Sequence, residues 1–152
     1  MTSSSDAMRE TLDALPLDAV EEACGELHRR IGVALRAVGE AEADEGGRDA
    51  PRRLVAGYAA SLELVCATFA ASAAGVAAPG GRTDRHPATV AAVMYGAPAI
   101  PALLARLEQD RRMLASLARH EEARLDAPIP GPWGEASLRR VLIEVALGEA
   151  AR

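Results

Sequence analysis

At 152 residues the chain has the length of one ordinary domain, large enough to bury a core without disulfides or a structural metal. Hydrophobic residues make up 49% of it but aromatics only 3%, so the core must be built from Ala, Leu and Val, which favours packed helices over strands. The net charge of −5, with arginines scattered in pairs rather than massed, argues against a nucleic-acid partner, which would need a basic face to displace phosphate counterions.

The opening MTSSSDAMRE has no apolar run behind its charges, so residues 1–16 are expected to be a flexible tail rather than a signal peptide. From Leu17 the apolar positions Val20, Cys24, Leu27, Ile31, Leu35 and Val38 recur at steps of three and four, which predicts helix 1 to about Glu40. The acidic, glycine-containing AEADEGGRDAP that follows is a loop ending in Pro51, a residue favoured in the first turn of a helix. Helix 2 is predicted from Pro51 to about Val76, and between Leu54 and Ala78 it carries one charge, Glu63. Its Ala, Gly and Ser content makes it weakly hydrophobic, and no second span or aromatic belt accompanies it. It is expected at the centre of the fold and not in a membrane.

APGGRTDRHP is a loop by its Pro and Gly content, and PATVAAVMYGAP reads as a short helix closed by Gly96 and Pro98. Helix 3 is predicted over about Pro101 to Arg119, with Leu103, Leu104, Leu107, Leu114 and Leu117 inward. Arg106, Glu108, Asp110, Arg111 and Arg112 are expected outward as a solvated charged face. LDAPIPGPWGEAS, with three prolines and two glycines, is an extended connector. Helix 4 is predicted from near Ala136 to the last residue, with Leu138, Val141, Leu142, Val145 and Leu147 as its apolar face. Four main helices with such connectors predict one all-α domain over residues 17–152, an antiparallel four-helix bundle.

The stretch LLARLEQDRRMLASLARHEEARLDAPIPGPWGEASLRRVLIEVALGEAAR, above all its PWGE connector, and RRLVAGYAASLEL resemble two parts of the DinB/YfiT-like superfamily. That superfamily includes thiol-dependent S-transferases and the mycothiol-dependent maleylpyruvate isomerases of actinobacteria. The resemblance implies a DinB-like bundle with an inter-helix cavity and a three-histidine metal site. Laid along the family pattern, two of those histidines fall on Glu144 and Gly148, and the third on Gly57, or on Tyr58 one residue later. The resemblance therefore implies a degenerate site without the metal.

The chain's own histidines, His28, His86 and His120, have no spacing that brings them together, so no metal and no cofactor is expected. Glu144 is either a cavity carboxylate working as acid or base, or an exposed residue pairing with Arg140. Glu63 is either buried with Tyr58 or a neighbouring Arg as partner, or turned outward. Cys24 and His28, four apart, have the spacing of a thiol and its base, but nothing marks an oxyanion donor or orienting carboxylate. Without CxxC spacing, Cys24 and Cys66 read as buried small hydrophobes of a reducing cytosol. Tyr58, Tyr95 and Met94 are candidates to line an apolar pocket, and Trp133 to cap the end of the bundle or touch a ligand.

Three functions follow as expectations. The first is a metal-free bundle that binds or converts a small molecule through Glu144, Glu63 and Tyr58. The second is a non-catalytic dimerisation module whose small residues Ala59, Ala60, Ala67, Ala70 and Ala71 allow close helix approach, giving a homodimer. The third is a metal-dependent S-transferase or isomerase with an atypical site.

Overall fold

The computed structural model describes residues 10, 11 and 13–145. Helix α1 (Leu17–Val38) follows the predicted stripe, burying Leu17, Val20, Cys24 and Leu35, and stops at Gly39, whose φ of 80° is costly for other residues. Helix α2 (Pro51–Ala74) has proline in its first turn and ends at Gly75 in the left-handed conformation, with the Gly75 N–H bonded back to the last turn. Its buried residues lie around most of its circumference, because it touches each of the other four helices. Phe69, Val65 and Leu62 are at most 1% exposed, and burying each such side chain stabilises the fold by about 1.5–3 kcal/mol.

Helix α3 (Pro87–Gly96) and helix α4 (Ile100–His120) meet at a bend of 110° across Ala97–Ala99. The predicted connector is a β-hairpin: β1 (Pro128–Gly131) pairs antiparallel with β2 (Gly134–Ser137), Ile129 opposite Ala136, around a Pro132–Trp133 turn. Helix α5 (Leu138–Ile143) starts two residues later than predicted, because the Ser137 hydroxyl caps it by accepting from the Arg140 N–H at 3.1 Å. Leu147 and Gly148 lie outside the described residues.

The architecture is thus mostly helical, with five α-helices and one small sheet among the described residues, where four main helices, one short helix and no strand were expected. Pro128 and Pro130 take two N–H donors from β1, but Ile129 and Ala136 still pack on the core and give the pair a reason to form. Helix α2 is long and apolar enough to cross a membrane, yet 67% of its most apolar window is buried inside the fold, as in the core helix of a soluble protein.

Two polar knots join elements distant in sequence. Arg52, 4% exposed, pairs with Glu40 at 2.6 Å and Asp44 at 2.9 Å and donates to the Pro98 carbonyl at 2.5 Å. Glu40 also accepts from the Ile100 N–H at 2.7 Å, so one arginine and one glutamate tie the start of α2 to the start of α4. Buried Asp84 accepts from Ser61 Oγ at 2.7 Å and from Arg82, pinning the loop before α3 onto α2. Burial pushes the Asp84 carboxyl up, but the bonds from Arg82 and Ser61 together hold it below its usual range.

Candidate functional site

Helix α4 buries Ile100, Leu103, Leu107, Asp110, Leu114 and Ala118, a stripe with steps of three and four in which one member is an acid. Asp110 is 8% exposed, and its Oδ2 has no hydrogen-bond partner among the described residues. The expectation that it faces solvent is corrected: with Leu103, Leu107 and Leu114 against α2, the helix period carries position 110 to the same side. Cys66 Sγ lies 3.6 Å from the Asp110 backbone carbonyl, which leaves the carboxyl itself unpaired.

Beside it, Arg106 Nε donates to Glu63 Oε1 at 2.5 Å across the α2–α4 contact, both side chains half-buried. Glu63 therefore has as partner an arginine of a neighbouring helix. Burial first, and the Glu63 charge second, push the Asp110 carboxyl up to about 7, while Arg106 pulls the other way. These three side chains share an open surface groove of about 540 Å³, edged by Gly96, Ala97, Ala102 and Ala105. A Cβ at position 96 would stand 3.1 Å from Arg106 Nη1, so a side chain there would push the guanidinium aside by a few tenths of an ångström.

The interior between α1, α2 and α4 is different. The space there, lined by Cys24, His28, Leu62 and Arg111, is about 20 Å³, room for about one water. Tyr58 is buried and its hydroxyl lies 2.9 Å from His28 Nε2, the two rings edge to face. Burial, then Arg111, pulls the His28 imidazole down to about 4, and burial pushes the Tyr58 phenol up, so both are neutral near pH 7. Burial also raises the Cys24 thiol to about 11, more than Arg111 offsets. With His28 bonded to Tyr58 and the thiol held neutral, Cys24 and His28 do not form a nucleophile and its base.

The remaining predicted residues are dispersed. Glu144 is exposed and accepts from Arg140 Nε at 2.8 Å, so it does not face a cavity; Val141, Leu142 and Val145 take the inward positions around it. Gly57 is half-buried with nothing within 4 Å of where a Cβ would stand, Tyr95 is 90% exposed, and Gly148 lies outside the described residues. Tyr95 therefore does not line a pocket, whereas Met94 packs against the core. Trp133 is half-buried under the Arg82 guanidinium, 5.0 Å from its ring centre, and so fastens the hairpin to the Asp84 loop. His86 accepts from the Ala88 N–H at the start of α3, and His120 is exposed at the end of α4.

Among the described residues no three His, Cys, Asp or Glu side chains converge on one point. The positions the resemblance assigns to metal ligands hold a glycine or a tyrosine already bonded to His28, and a glutamate paired with Arg140, which do not fit a three-histidine metal. No protein-family profile, no curated protein and no solved structure matches the chain.

Proposed function

We propose that this protein is a metal-free helical domain that binds a small molecule in the groove between α2 and α4, with Asp110, Glu63 and Arg106 as its polar contacts. The observation that carries the reading is the Asp110 carboxyl: buried, without a partner for Oδ2, and lining the open groove. Leaving such a group unpaired costs stability, and sites that are poor for folding are where binding groups concentrate. In this proposal the chain is a divergent DinB-like four-helix bundle, but the ligand site lies off its centre, because the central space is filled. Conversion of the ligand would use Asp110, whose carboxyl burial pushes up to about 7, as acid or base.

The test is a small-molecule screen by thermal shift on the wild type and on Ala105→Leu, which fills the groove from an exposed helix position. Compounds that stabilise the wild type and not Ala105→Leu are expected. No stabilising compound, or the same stabilisation of both proteins, would refute the proposal. Stability that instead rises with protein concentration would favour the homodimer, for which the exposed Ala67 and Ala70 of α2 are the supporting observation.

A further inference from the structure

The chemistry of the groove narrows what can occupy it. Asp110 offers a buried carboxyl oxygen with no donor opposite it, and the cation nearest to it, Arg106, is already held by Glu63 at 2.5 Å. An anionic ligand would have to break that pair while bringing its charge beside two carboxyls. A neutral hydroxyl would pair with the protonated carboxyl but leave the ionised form of Asp110 with its charge uncompensated. A bare cation would find one free carboxyl, since no third His, Cys, Asp or Glu converges there among the described residues. An ammonium group supplies both a donor and a positive charge, and the small apolar walls at Ala97, Ala102 and Ala105 suit a short alkyl stem.

Resting on the reading that the α2–α4 groove is a ligand site, we infer that its ligand is a small aliphatic amine, bound as the ammonium ion by the Asp110 carboxylate with its stem against Ala102 and Ala105. The Glu63–Arg106 pair closes one side and keeps anions out. The titratable and charged groups facing Asp110 are Glu63 and Cys66 from α2 and Arg106 from α4; the end of α3 brings Gly96 and Ala97, which carry no charge. Binding is linked to protons, because only the ionised carboxyl attracts the ammonium. With that carboxyl titrating at about 7, a ligand reaching only the ionised form binds about tenfold more tightly at pH 8 than at pH 6.

The experiment titrates butylammonium chloride, 1-butanol and sodium butyrate into the millimolar range at constant ionic strength, at pH 6 and pH 8. Amide shifts of the labelled protein are followed around Ala105 and Asp110, with Asp110→Asn and Ala105→Leu alongside. The result expected is saturable binding of butylammonium, roughly tenfold tighter at the higher pH and abolished in both variants, with no saturable response to butanol or butyrate. Butanol binding as well as butylammonium, or Asp110→Asn retaining the amine, would overturn the inference. Butyrate binding that Ala105→Leu abolishes would overturn the amine while leaving the groove as a site. Failure of all three probes, together with an empty screen, would remove the groove reading itself.

Discussion

Replacing Asp110 by asparagine removes the charge and keeps the shape, and the consequence depends on pH in a direction that burial dictates. Folding raises this carboxyl from its usual 3.8 to about 7, so between those values the native state holds more protons than the unfolded chain. Stability from this group therefore falls as pH rises through that window, and the loss is complete above about 7. Three pKa units correspond to a ceiling of about 4 kcal/mol, and partial relaxation of the site brings the expectation to about 2–4 kcal/mol. At pH 5 the native acid is still protonated but the unfolded one is already ionised, so about 1–2 kcal/mol of that loss is present and Asp110→Asn should melt only a few degrees above the wild type. At pH 8 the variant should melt about 5–15 °C higher, taking 2–4 °C per kcal/mol for a domain of this size. The assay is the difference in Tm between the two proteins from pH 5 to pH 8, in which the other carboxylates cancel. A difference that stays constant across the range would refute the buried, unpaired carboxyl and with it the core of the functional argument.

Three further outcomes follow from the same geometry. Glu144→Ala should change stability by no more than about 0.5 kcal/mol in chemical denaturation, since it removes only an exposed i, i+4 pair with Arg140. Arg52→Met should cost about 2–4 kcal/mol by the same measurement, because it empties a buried site that bonds Glu40, Asp44 and the Pro98 carbonyl. Burial pushes Cys24 up to about 11 and Cys66 to about 12, so a thiol reagent at pH 8 should label the native protein at least about a hundredfold more slowly than the unfolded chain.

Much of the helical frame is legible in the residues themselves. The three-and-four spacing from Leu17 to Val38, Pro51 opening α2, and Gly96 closing α3 place these elements within a residue or two of where they lie. The hairpin was not foreseen, because its prolines and glycines signal a connector while its pairing depends on Ile129 and Ala136 finding the core. Glu63 was visible as the one charge in an apolar helix, and its partner is one of the kinds expected. Asp110 was missed although position 110 continues the run Leu103, Leu107, Leu114; its neighbours Glu108, Arg111 and Arg112 made it look like part of a charged outer face. The resemblance pointed to Glu144 instead, where the helix turns the side chain to solvent and to Arg140.

What this sequence determined by itself is what short-range chemistry controls: helix periodicity, proline and glycine boundaries, and a small-residue core with α2 inside it. What tertiary structure alone decided is which polar groups meet: Arg52 with Glu40 and the turn at Pro98, Arg106 with Glu63, and Asp110 with nothing. Those meetings depend on the rotation of each helix about its own axis against its neighbours, and a rotation of one residue, about 100°, separates a solvated acid from a buried one.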